Sequence, residues 1–88
     1  MEDKKLHISE NCVSEKLDEE LIILDLDSGL YHCLNEIGSV IWEEIKNKNP
    51  SYNNLVKSIS QKYVGENILE DSDRFLRELK EKKLIFTK

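Results

Sequence analysis

The stretch from Leu21 to Asn35, LIILDLDSGLYHCLN, constrains this chain more than any other, because the pattern changes where it ends. Before Asn35, short apolar runs flank Asp27-Ser28-Gly29, as in two strands joined by a tight loop. After Asn35, apolar residues recur every three or four positions, as on one face of a helix. Strands that come first and helices that follow, without alternation, indicate an α+β domain.

The loop suggests a register. If Gly29 takes a left-handed conformation and closes a three-residue connection, Leu26 pairs with Leu30, Leu24 with His32 and Ile22 with Leu34. Those six residues then share the core face of the sheet. Ile23, Asp25, Tyr31 and Cys33 fall on the other face, and a slip of one residue would exchange the two sets. Lys5–Ser9 and Cys12–Leu17 are expected to supply the remaining strand, or a pair of short ones.

Asn35 is a good helix N-cap, and Glu36 suits the first turn. Ile37, Val40, Ile41 and Ile45 mark a buried stripe with Trp42 on its shoulder, and the helix is expected to stop near Asn47–Asn49, before Pro50. Ser51 caps a second helix with Leu55, Val56, Ile59, Tyr63 and Val64 inward and Gly65 as its end. A third helix is predicted over Leu69–Lys82, with Leu69, Phe75, Leu76 and Leu79 inward. Leu84, Ile85 and Phe86 return onto the core. The expected architecture is winged-helix-like: an N-terminal three-stranded antiparallel sheet packed on a three-helix bundle, one domain over residues 1–88.

Composition narrows the function. With 88 residues, the chain has a thin core and little room for an enclosed active site. No apolar run approaches the roughly 18–20 residues of a membrane span. The start, MEDKKLHISENC, has no apolar h-region, so a cytoplasmic protein with Cys12 and Cys33 reduced is expected. Residues 1–50 carry 12 acids and 5 bases, whereas residues 51–88 carry 6 acids and 8 bases. The net charge of −5 argues against non-specific nucleic-acid binding. No nucleophile–base constellation stands out, Gly29, Gly38 and Gly65 are too scattered for a phosphate loop, and His7, His32 and the two cysteines lack the close pairs of a zinc site. His32 is better placed as a packing residue than as a base. No enzyme activity, metal or cofactor is therefore expected.

What remains is a strand edge. The strand Leu30–Leu34 runs directly into a helix, so no later strand pairs beside it. Its residues include no proline or lysine to blunt the edge. Such an edge is either simply left unprotected or a docking site for an extended peptide by strand addition, and the residues alone favour neither.

The run Gly29-Leu30-Tyr31-His32-Cys33-Leu34-Asn35-Glu36-Ile37-Gly38, followed by Val40-Ile41-Trp42, resembles the PqqD-like pattern G-x-Y/F-x-x-L-N-x-x-G-x-x-I-W. The stretches SYNNLVKSISQKYV and DSDRFLRELKEKKLI are similar to the family's middle and last helices. The resemblance implies a recognition element for ribosomally made, modified peptides, in its stand-alone form, the form of PqqD itself and of the small recognition proteins of lasso-peptide pathways. It implies that a precursor's leader segment adds as a strand along Leu30, Tyr31, His32, Cys33 and Leu34. It implies further contacts with Ser72, Asp73, Phe75, Leu76, Arg77, Leu79 and Lys80 of the last helix, and delivery to a modifying enzyme such as a leader peptidase or radical SAM maturase. No nucleic acid or membrane is implied as a partner. One departure is Lys83, where the family often has Gly, which predicts a different closure of the last helix. The alternative reading is a winged-helix DNA-binding regulator, using the basic last helix.

Overall fold

Asn35 is the point at which the chain turns from strands to helices, and its side chain does the work. In the computed structural model, which describes residues 4–18, 20–63, 65 and 67–88, its Oδ1 accepts the Gly38 N–H at 2.8 Å. Four strands precede it: β1 (Leu6–Ile8), β2 (Cys12–Leu17), β3 (Glu20–Asp25) and β4 (Tyr31–Leu34). Three helices follow: α1 (Glu36–Lys48), α2 (Tyr52–Lys62) and α3 (Ile68–Glu81), then β5 (Ile85–Thr87). The predicted α+β, winged-helix-like order is the observed one. Strands β2, β3 and β4 form the three-stranded antiparallel sheet, in that order.

Strand β1 does not join that sheet. It pairs antiparallel with β5, and the ribbon is extended by reciprocal bonds between Lys5 and Lys88 at 3.0 and 2.9 Å. The returning apolar tail is therefore a strand. Leu6 N–H also reaches the Pro50 carbonyl at 2.8 Å, which fixes the ribbon beside the α1–α2 connection.

The hairpin register differs by one residue from the expected one. Leu21 opposes Leu34, Ile23 opposes His32 and Leu24 opposes Tyr31. The cause is local. The Asp25 carboxylate accepts the Asp27 N–H and the Ser28 hydroxyl, each at 3.0 Å, and Asp25 N–H donates to the Leu30 carbonyl. Leu26 N–H is drawn to Asn11 on the β2 side, so Leu26 leaves the hairpin and the loop has four residues instead of three. Gly29 has the left-handed φ of 75° that the loop requires. Leu21 and Ile23 consequently face the helices and are buried, while Ile22 and Leu24 face outward and Leu26 and Leu30 are exposed.

Helix α1 stops at Asn49, whose left-handed φ of 46° suits an asparagine after a helix. Its buried face is centred on Ile41, Trp42 and Ile45; Ile37 and Val40 are only half-buried, so Trp42 is at the centre of the stripe and not on its shoulder. Ser51 caps α2, accepting the Asn54 N–H at 3.2 Å. Leu55 and Ile59 are buried beneath it. The helix ends at Lys62 with Tyr63 extended, ahead of Gly65; Val64 lies outside the described residues. On α3, Leu76 and Leu79 are buried and Phe75 is half-buried, but Leu69 is exposed and Ile68 takes the inward place. Glu44 of α1 accepts a hydrogen bond from Lys62 of α2 at 2.8 Å and ties the two helices together.

Helix α3 closes with a left-handed residue at Lys83, φ 62°. Leu84 N–H reaches the Leu79 carbonyl at 2.9 Å and Lys83 N–H reaches the Lys80 carbonyl at 3.0 Å. These are the two bonds of a Schellman closure. The lysine occupies the position glycine usually holds, and the helix ends as it would with glycine.

Candidate functional site: the β4 edge and the flanks of α3

Among the described residues, strand β4 is an edge of its sheet, with β3 on one side. Antiparallel pairs alternate between those that exchange main-chain bonds and those that do not. The bond from Asp25 to Leu30 puts Leu30, His32 and Leu34 in the bonded set. The N–H and C=O groups of Tyr31 and Cys33 therefore point away from β3, toward the open edge.

Side chains alternate as well. His32 is half-buried and Leu34 buried, and both point to the helical layer. Tyr31 and Cys33 are exposed on the opposite face of the sheet, level with Leu24 and Ile22. These two residues thus offer main-chain groups to the edge, while their side chains stand away from α3. Leu30, at the strand's start, is exposed.

Gly38 brings α3 to this edge. A Cβ at Gly38 would lie 3.2 Å from the Phe75 ring, 3.1 Å from Asn35 Oδ1 and 3.4 Å from Leu34 Cβ. The absence of that carbon lets Phe75 sit over the start of α1, next to the end of β4. Asp71 and Glu78, four before and three after Phe75, share its flank of α3. Leu34, Gly38 and Phe75 thus meet beside the end of β4, with Asp71, Glu78 and Lys82 on the same flank of α3.

The other residues predicted on α3 divide differently. Ser72 and Leu79 are buried, at 2% and 3% exposure, in the packing of the helix. Asp73, Leu76, Arg77 and Lys80 line a separate concavity of about 590 Å³, together with residues of the β1–β5 ribbon and Tyr52. There Tyr52 Oη donates to Asp73 Oδ1 at 2.8 Å, and Arg77 pairs with the other carboxylate oxygen. Hydrogen bonds from Tyr52 and then Arg77 hold the Asp73 carboxyl below its usual range. Burial, then the bond to Asp73, raises the Tyr52 phenol. The sequence reading put both flanks of α3 in one site because spacing alone does not say which flank meets β4. Phe75 lies beside Gly38 and Leu34, whereas Asp73, Leu76, Arg77 and Lys80 lie on the other flank.

The two cysteines are free and stand on opposite faces of the sheet. Cys12 faces inward and donates to the Ser9 carbonyl at 3.2 Å; burial, then the nearby Asp25, raises its thiol pKa. Among the described residues, no helix is long and apolar enough to cross a membrane.

An α+β domain with a free strand edge has the main-chain geometry for strand addition. The family profile described as Coenzyme PQQ synthesis protein D (PqqD) matches residues 20–85, and the chain belongs to that family. Two solved structures are similar. One, described as "TbiB1 in Complex with the TbiA(beta) Leader Peptide", is 31% identical, with a TM-score of 0.78 over 90% of this chain and 93% of that one. The other, "Lasso peptide synthetase B1 complexed with the leader peptide", shares the fold at 19% identity, with a TM-score of 0.78 over 93% of this chain and 98% of that one. No curated protein matches this chain.

Proposed function

We propose that this chain is a non-catalytic recognition protein that binds the leader segment of a ribosomally made precursor peptide by strand addition along β4, and presents it to a modifying enzyme. The observation that carries this reading is the strand edge itself: among the described residues, the main-chain groups of Tyr31 and Cys33 point away from β3 without a partner strand, close to where Leu34, Gly38 and Phe75 meet. The similarity to a TbiB1 structure solved with a leader peptide supports it.

The mechanism follows from that geometry. Main-chain bonds to Tyr31 and Cys33 hold an extended leader without reading its sequence. Leader side chains that alternate inward meet His32, Leu34 and Phe75, where shape selects apolar anchors. Ordering a flexible leader costs about 2–5 kcal/mol of the gross interaction, so the complex is of moderate affinity and releases its cargo readily.

The test is an amide NMR titration with a synthetic leader peptide from the precursor encoded nearest the gene. Shifts at Leu30–Leu34 and around Phe75 are expected. Shifts confined to α3, produced by duplex DNA and not by the leader, would replace this reading with the DNA-binding one. That outcome is disfavoured by Arg74 and Arg77, which face Asp71 and Asp73 of their own helix.

A further inference from the structure

Among the described residues, nothing packs on the outer face of the sheet, turned away from the helices, and that face is largely apolar. The register aligns Val13, Leu24 and Tyr31 in one row across β2, β3 and β4, with Glu15, Ile22 and Cys33 in the next. Val13 is 52% exposed, Leu17 49% and Tyr31 69%, although each belongs to a regular strand. Of seven large hydrophobic residues exposed among the described ones, Val13, Leu17 and Tyr31 lie on this face and Leu26 at the hairpin tip beside it. Apolar residues clustered in this way mark an interaction surface, whereas scattered ones need no explanation.

The charge around the patch selects the occupant. The segment from residue 10 to residue 27, which supplies β2, β3 and their turns, carries seven acids and one lysine. A second copy docking face to face would bring two acidic rims together, and an anionic membrane surface would be repelled. A protein surface with an apolar centre and a lysine- or arginine-rich rim is complementary.

We infer that this face docks the modifying enzyme, through an apolar patch with a basic rim on that enzyme, an assignment that rests on the presentation role proposed above. A leader strand added at the β4 edge leaves the face open. Its outward side chains would extend the Val13–Leu24–Tyr31 row by one position, so leader and enzyme are bound together.

The test uses the purified modifying enzyme encoded beside the gene for this chain, titrated onto the chain alone and onto the chain saturated with fluorescently labelled leader. Binding to both, without release of the leader, is expected. Val13→Lys and Glu15→Lys, at exposed positions off the β4 edge, are each expected to weaken enzyme binding at least tenfold, with leader affinity and thermal midpoint unchanged. Enzyme affinity unmoved by both variants, or displacement of the leader by the enzyme, would overturn the assignment. So would a dimer of the chain alone that both variants dissociate, since the face would then belong to a second copy. A chain that binds the enzyme through this face but not the leader would instead refute the leader reading.

Discussion

Two residues of this chain carry a conformation or a contact that their neighbours impose on them. Lys83 holds a left-handed φ of 62° at the end of α3, which costs a residue with a Cβ about 1–2 kcal/mol. Lys83→Gly should therefore stabilise the protein by roughly 0.5–1 kcal/mol, after the extra chain entropy of glycine. In a domain of this size that is a rise of roughly 2–8 °C in the thermal midpoint. A lower midpoint would show that the lysine side chain contributes more than its backbone costs. Gly38 is the opposite case. Alanine would favour the helix by about 1 kcal/mol, but its Cβ would crowd the Phe75 ring and the Asn35 cap at 3.2 and 3.1 Å. Gly38→Ala is expected to lower stability by about 1 kcal/mol net and to weaken leader binding, because Phe75 must shift away from the end of β4. An unchanged midpoint would mean that the ring turns aside freely.

At the scale of the element, β4 separates two roles by alternate residues. Cys33 N–H points to the open edge, and proline there leaves the bonds to β3 intact, as edge positions allow. His32 N–H belongs to the bonded set, and proline there breaks the hairpin. Cys33→Pro should keep the fold and lose about tenfold in leader affinity, the size of one main-chain bond of about 1.5 kcal/mol. His32→Pro should lose the folded hairpin itself. Calorimetric titration of the first variant and circular dichroism of the second read the two outcomes. The reverse pattern, a folded His32→Pro and an unfolded Cys33→Pro, would place the free groups of β4 on the other set of residues. This alternation was not legible beforehand. Leu21, Ile22, Ile23 and Leu24 are apolar on both faces of β3, so periodicity could not choose between two registers one residue apart. The choice was made by the Asp25 carboxylate and by Leu26 turning to Asn11.

At the scale of the whole molecule, three carboxylates join elements or brace turns, and each titrates in the same direction. Glu44 is buried and held below its usual range by its hydrogen bond from Lys62, which outweighs the opposing effect of burial. Asp73 is lowered by Tyr52 and Arg77. For Asp25, burial acts upward, but the Ser28 hydroxyl, the main chain of Asp27 and Ser28, and His32 together bring it down. A carboxylate with a depressed folded pKa contributes stability above its unfolded value, about 4, and loses it as pH falls through the folded value. The thermal midpoint should thus drop as pH falls below about 4, with no loss from these groups between pH 7 and 5. Glu44→Gln should start lower at pH 7 and fall less steeply in acid. A variant whose midpoint tracks that of the parent across the whole range would show that the Glu44–Lys62 link contributes nothing.

Much of this architecture depends on chemistry within a few residues, and the sequence determined it alone. The Asn35 and Ser51 caps, the glycine in the hairpin loop, the stop before Pro50 and the order of strands before helices are all such features. So was the family pattern from Gly29 to Trp42. The tertiary structure decided what depends on contacts distant in sequence. It sent β1 to β5 and out of the sheet, set Trp42 at the core centre, and turned Phe75 to β4 and Asp73, Arg77 and Lys80 away from it. The physical reason is the same throughout. Caps and turns satisfy main-chain groups with side chains next to them, so they are written locally. The face an apolar strand buries, and the flank a helix shows its neighbour, are set by whichever packing removes the most apolar surface from water.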